Sequence, residues 1–204
     1  MRAPAKTPEN LQLLEASPSS LFNTMKLLLH TCCAPCLLYP LERLKAEKFE
    51  ITGFFYNPNI HPPSEYNNRK EAVEGYARDI GVEVVYPEYR PEEFFQAVNL
   101  KEANPGRCEI CWRLRLGKTA QTAKEKGFSH FSTTLLVSPY QDQELLKNIG
   151  NDVARDMGVT FYYEDFRPGF RKAHDEAKSK GIYCQKYCGC IYGELQQCRK
   201  SAKV

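Results

Sequence analysis

Residues 26–36 read KLLLHTCCAPC. Lys26–Leu29 is a short apolar run of strand type. His30–Cys36 follows at once and carries three thiols within five positions. Such a run bounded by small and breaker residues reads as a buried strand. In an open α/β sheet the loop beyond a strand's carboxyl end is where ligands bind.

Working outward, further apolar or β-branched runs fall at Ile51–Tyr56, Glu83–Tyr86, His130–Val137 and Val159–Tyr163. Between them lie segments of helical periodicity: Leu37–Lys48, Ser64–Ile80 with Ser64 as its expected N-cap, Pro91–Asn99, Cys108–Lys126, Gln141–Met157 and Pro168–Lys180. Three helix ends, DIGVEVVY, EKGFSHFS and DMGVTFYY, place Gly81, Gly127 and Gly158 where a C′ residue needs positive φ, and a strand follows directly. This alternation predicts an α/β single domain, a mostly parallel sheet with helices on both faces, Rossmann-like and HUP-like, plus a Cys-rich C-terminal segment. The unusual stretches HTCCAPC, YNPNIHPPSEY, GRCEIC, VSPYQDQE and DFRPGF all follow strands and therefore converge on one sheet edge. YCQKYCGC, placed after the last expected helix, folds back over the same rim.

The chain has 204 residues, enough for one domain with a sizeable core. A net charge of +3 permits a nucleic-acid partner without demanding one. No stretch is long and apolar enough to cross a bilayer, so no membrane association is expected. Residues 1–25 are rich in Pro, Ser, Asn and Lys and read as a flexible extension to a domain at 26–204. Met25, immediately before the first strand, is a candidate for the true start. These residues carry no apolar h-region of the secretory kind, which points to a cytoplasmic chain. There the nine cysteines, Cys32, Cys33, Cys36, Cys108, Cys111, Cys184, Cys188, Cys190 and Cys198, read as metal or redox groups rather than a disulfide framework.

Cys108 and Cys111 form an i,i+3 pair on one helical face, so both sulfurs reach one centre. Gly189 between Cys188 and Cys190 lets the backbone approach closely. Adjacent Cys32 and Cys33 are expected to diverge and to serve two centres. Cys36, after Pro35, is expected to open the next helix, where the helix terminus favours a thiolate. Cys184 and Cys198 read as incidental. Seven candidates in three regions exceed one structural zinc, which takes four ligands. The CxxCxxCxxxCP ferredoxin run is absent. An iron–sulfur or two-metal site is the leading reading, with structural zinc and dithiol chemistry as alternatives.

LLLHTCCAPC, GFFYNPNIHPPSEYNNR, RCEICWRLRL, FSTTLLVSPYQDQELLKNIG, YYEDFRPGFR and QKYCGCIYGE, in that order over residues 26–195, together resemble the QueH family of epoxyqueuosine reductases. The resemblance implies a cobalamin-independent oxidoreductase of queuosine biosynthesis, acting at its last step. It would remove the epoxide oxygen of epoxyqueuosine in the anticodon loop of tRNA to leave queuosine. It also implies a [4Fe–4S] cluster held by three cysteines, a probable adjacent mononuclear iron, and an unidentified electron donor. Carried over residue by residue, Cys32, Cys33, Cys108, Cys111, Cys188 and Cys190 are the implied metal ligands. Cys36, where relatives often carry Asp, is the implied ligand of the second metal.

Deoxygenation needs two protons, and Asp142 is the candidate donor; its alternative role is to cap the helix that begins near Gln143. His61, Tyr66, Arg69, Gln141 and Lys186 are candidate substrate-binding residues. Tyr56 and Tyr66 are candidates to stack on a splayed base, as in single-stranded RNA recognition. His30 is either a partner to a thiolate or a core histidine. Arg107, Arg113, Arg115 and Lys118 either meet phosphates or form a solvated helix face. Two other readings compete. An ATP-dependent tRNA sulfur-transfer enzyme would need an SGGxDS-type phosphate loop after the first strand, where this chain has HTCCAPC. An iron–sulfur electron carrier would need closed four-cysteine ligation and no tRNA affinity.

Overall fold

The computed structural model describes residues 25–103 and 105–201, with side chains described through residue 196. The proposed extension therefore lies outside the described residues except for Met25, and Cys198 lies outside the described side chains.

Five strands form one parallel sheet: β1 (Lys26–His30), β2 (Glu50–Phe54), β3 (Val84–Val85), β4 (His130–Thr133) and β5 (Thr160–Phe161), in the order β3-β2-β1-β4-β5. β1 is the central strand. Leu27, Leu28 and Leu29 are completely buried, because a parallel strand covered on both faces has no solvent side on which to place polar residues. The edge strands β3 and β5 hold only two residues each, shorter than the runs expected from sequence. A short edge offers little unpaired backbone.

The helices are α1 (Ala34–Ala46), α2 (Pro63–Asp79), α3 (Pro91–Val98), α4 (Gly106–Glu125), α5 (Gln143–Met157), α6 (Phe170–Ser179) and α7 (Ile191–Ser201). α1 packs with α2 and α6, while α4 packs with α5. Parallel strands joined by crossovers that run outward in both directions from β1 put the two helix sets on opposite faces when each crossover has the usual right hand. Gly81, Gly127 and Gly158 adopt φ of 64°, 74° and 69°, as the three helix–glycine–strand patterns require. Gly150 brings α5 against β5: a Cβ there would stand 2.2 Å from Phe161 Cε1.

Four expectations are corrected. α2 is capped at Pro62 with Pro63 at its first position, so Ser64 lies inside the first turn; proline's φ is already helical there. α1 starts at Ala34 with Cys33 as its N-cap, three residues before the expected Leu37, so Cys36 lies in its first turn. β4 stops at Thr133, whose hydroxyl accepts from Leu135 N at 3.1 Å and turns residues 134–137 into a 3-10 helix. The final cysteine group does not end the folded chain, because α7 follows it.

β1 is flanked by β2 on one side and β4 on the other, so chain direction around the sheet reverses at β1. A crevice opens there, beyond the carboxyl ends of β1 and β4. His30 and Thr133 are register partners at those ends.

Candidate metal centre and its cleft

The crevice floor is built from hydroxyls and an imidazole. His30 Nδ1 lies 2.8 Å from Thr133 Oγ1, and its Nε2 lies 3.2 Å from Tyr56 O. Burial, reinforced by the neighbouring Arg115 guanidinium, pushes the His30 pKa down to about 4. His30 is therefore a neutral ring that joins β1 to β4. Above it, Cys32 N donates to Thr134 Oγ1 at 3.1 Å, and the Thr134 hydroxyl donates to Cys32 Sγ at 3.3 Å.

The sulfurs of Cys32, Cys33 and Cys36 all lie within 4.8 Å of one another, and among the described residues theirs is the one ligand group so close. Cys32 and Cys33 do not diverge: their sulfurs are 3.6 Å apart. β1 ends at His30 and Cys33 is already the N-cap of α1, so the pair lies outside the sheet's regular alternation. Cys32 is held well below the usual thiol range, chiefly by hydrogen bonds from the Cys33 and Cys36 thiols. Burial raises Cys33, and donation to Cys32 raises Cys36. Within the triad the environment favours negative charge on Cys32 over Cys33 and Cys36, and metal binding requires the thiols to lose their protons.

A second sulfur group faces the first across a cavity of about 870 Å³. Cys108 and Cys111 project from the first turns of α4, while Cys188 and Cys190 come from the segment between α6 and α7. All four line the cavity with Cys32 and Cys36. Cys188 is lowered by a hydrogen bond from Cys190, which is raised in turn. Burial raises Cys108, and pushes Cys111 up to about 11.

Arg69, Arg107 and Arg115 line the same cavity, each at most 4% exposed. Arg69 pairs with Glu65 at 2.7 Å and donates to Tyr187 O at 3.0 Å and Cys188 O at 3.3 Å, so it clasps the CxC segment. Arg107 donates to Glu102 O at 2.6 Å, and Arg115 Nε to Cys111 O at 3.3 Å. Of the proposed basic run, only Arg113 and Lys118 lie on the exposed side of α4; Arg107 and Arg115 turn inward. Three buried guanidinium groups beside thiolates supply the positive charge an anionic sulfur site needs.

Asp142, Gln141 and Lys186 also line the cleft. Asp142 is exposed and caps α5, accepting from Leu145 N at 3.0 Å. His61 and Tyr66 are not among the lining residues. His61 is buried and stacks on Phe95, ring centroids 4.5 Å apart, and Tyr66 is buried and stacks on Tyr89 at 3.9 Å. Tyr56 is likewise buried, its hydroxyl donating to Glu93. The aromatic side chain that does stand open on the cleft is Tyr140, 83% exposed. Sequence reasoning passed over it, and also over Gln185, whose Nε2 donates to Cys33 Sγ at 2.9 Å. Arg115 carried a usable signal, since it stands one helical turn after Cys111.

Residues 27–196 match the family described as Epoxyqueuosine reductase QueH. A protein named Epoxyqueuosine reductase QueH from Thermotoga maritima is 40% identical over 185 residues, covering 87% of this chain and 94% of that one. Its counterpart from Dehalococcoides mccartyi is 36% identical, covering 84% and 94%. That from Streptococcus pyogenes is 34% identical, covering 87% and 76%.

Proposed function

The chain belongs to the epoxyqueuosine reductase QueH family, and on that premise we propose how its cleft works. The protein is an oxidoreductase that reduces epoxyqueuosine to queuosine, the last step of queuosine biosynthesis. Its macromolecular partner is tRNA carrying epoxyqueuosine in the anticodon loop. A separate electron donor reloads the site, and the reaction takes place in the cytoplasm. Among the described residues no helix is long and apolar enough to cross a membrane.

The observation that carries this reading is the convergence of six cysteines and three buried arginines on one cavity at the sheet's switch point. This donor set fits iron and sulfide: thiolates are the ligands of iron–sulfur clusters, and the site compensates their charge. Cys32, Cys33, Cys36, Cys108, Cys111, Cys188 and Cys190 are the ligands we assign to a [4Fe–4S] cluster and an adjacent iron. When bound, these supply electrons and a Lewis acid.

The reaction breaks both C–O bonds of the epoxide and forms a C=C bond, and the oxygen leaves as water after taking up two electrons and two protons. The chain's own groups do the rest. Asp142 stands at the N-terminus of α5 on the cleft wall, and we assign its carboxyl group the delivery of a proton to the departing oxygen. The ammonium group of Lys186 and the amide of Gln141, both on the cleft, position the substrate's polar groups. The anticodon loop is single-stranded, so no duplex has to be opened for the base to enter. Arg69, Arg107 and Arg115 hold negative charge in the cleft, and His30 stays uncharged beneath it.

The test is nucleoside mass spectrometry on tRNA from a bacterium that makes epoxyqueuosine but has no reductase of its own. Expression of this chain is expected to convert epoxyqueuosine to queuosine. Persistence of epoxyqueuosine beside a protein purified with its full iron and sulfide complement would overturn the reading.

A further inference from the structure

Asn59 is 1% exposed and lines the metal-site cavity, yet its Oδ1 is buried without a hydrogen-bond partner among the described residues. A buried acceptor of this kind destabilises the protein unless something supplies a donor. The local backbone does not explain why asparagine is there. Asn57–Ile60 is a turn closed by Ile60 N donating to Asn57 O at 3.2 Å, with Pro58 at its second position. Asn59 is not among the residues of positive φ, so the turn does not call for a residue tolerant of the left-handed region. Nearby Asn57 also has a buried Oδ1 without a partner among the described residues, but its Nδ2 donates to Thr31 O at 2.9 Å and it does not line the cavity; of the two, only Asn59 does. Across the same cavity Gln185 repeats the arrangement. Its Nε2 is committed to Cys33, and its Oε1 is buried without a partner among the described residues.

We propose that Asn59 is a specificity-determining residue whose Oδ1 accepts a hydrogen bond from a hydroxyl of the substrate's epoxide-bearing ring, with Gln185 Oε1 as the second acceptor. The inference rests on the epoxyqueuosine reductase reading. The donor is a neutral hydroxyl because Arg69, Arg107 and Arg115 line this cavity and oppose a cation beside them. A pocket built to hydrogen-bond a substrate hydroxyl discriminates strongly against analogues that lack it, since its buried acceptors are then left unpaired. The contacted hydroxyl does not react, so the bond contributes to binding in ground state and transition state alike.

The experiment compares wild type, Asn59→Leu and Asn59→Asp, each purified with its metal complement, on epoxyqueuosine-containing tRNA. In Asn59→Leu, KM is expected to rise about tenfold with kcat within twofold. Its substrate-free melting temperature is expected to equal or exceed that of wild type, because the unpartnered acceptor is gone, and its iron and sulfide content stays unchanged. Asn59→Asp keeps an acceptor and is expected to retain a KM within about threefold of wild type. An unchanged KM in Asn59→Leu overturns the proposal. So does lost iron, a lowered melting temperature or failure to fold in that variant, since each marks a structural or metal-holding residue. Equal KM losses in both variants also overturn it, and a KM for Asn59→Asp well below wild type overturns the neutral donor. A wild-type protein that converts no epoxyqueuosine sinks the functional reading itself, an outcome separate from these.

Discussion

Gln185 Nε2 stands 2.9 Å from Cys33 Sγ and 3.8 Å from Cys36 Sγ, although about 150 residues of chain lie between the loop after β1 and the segment before α7. An amide N–H aimed at a thiolate withdraws electron density from the sulfur. In a metal–thiolate site such bonds tune ligand strength and reduction potential. Gln185→Leu is expected to keep its iron and to shift the midpoint potential of the metal centre downward, because the more reduced, more negative state loses a hydrogen-bond donor. Spectroelectrochemical titration reads this. An unchanged potential would make the contact one of packing only.

Arg69 and Glu65 form a buried ion pair, 2% and 9% exposed at their side chains, that also carries the carbonyls of Tyr187 and Cys188. Arg69→Met leaves the Glu65 carboxylate buried with Tyr183 OH as its one remaining side-chain donor among the described residues. The expected loss is about 3–5 kcal/mol, measured by urea unfolding. Pairing Arg69→Met with Glu65→Gln should restore part of it. The CxC segment is released in both variants, so faster iron loss should persist even where stability recovers.

Asp142 can be both a helix cap and an acid, and the two roles separate by substitution. Asn caps as well as Asp does, so Asp142→Asn is expected to melt close to wild type while its turnover falls about 10²–10⁴-fold. Asp142→Ala should lose the same activity and in addition about 1 kcal/mol of stability. Full activity in Asp142→Asn would leave only the cap.

His61 packs between Phe94 and Phe95, and burial lowers its pKa to about 4; the nearby Pro58 carbonyl offsets only a small part. Its unfolded-state value is about 6.5. Between those values the unfolded chain binds the proton that the folded ring refuses, so stability is complete above about pH 6.5 and falls as pH drops toward 4. His61→Phe keeps the aromatic packing and should show a shallower loss over that window, read as unfolding midpoints at a series of pH values. An unchanged slope would assign the acid sensitivity to His30 or His130, whose values are also lowered.

Much of the architecture could be read from local patterns. Central β1 shows as three consecutive leucines, because a strand covered on both faces must be apolar throughout. Three helix ends show as glycines, Gly81, Gly127 and Gly158, because the backbone there takes positive φ. Hydrophobic periodicity does not register where a strand stops, so β4 is shorter than its apolar run: Leu135–Val137 are as buried in the 3-10 helix as they would be in the sheet. α7 was missed because the cysteine-rich segment before it drew the reading toward a loop.

The sequence by itself determined the fold class, the edge of the sheet at which chemistry gathers, and the cysteines that gather there. These depend on residue type and spacing along a few turns of chain. Tertiary structure alone decided which side chains face the cleft. Tyr56 and Tyr66 are packed away while Tyr140 is open; Arg107 and Arg115 turn inward from a basic run whose other members, Arg113 and Lys118, stay exposed; Cys32 and Cys33 point together. It also decided that Gln185 meets Cys33 and that Asn59 lines the cavity with its Oδ1 unpartnered among the described residues. Those relations join segments tens to more than a hundred residues apart, and their geometry arises only when the α1 loop, the β2–α2 turn, α4 and the segment before α7 are packed around one sheet edge.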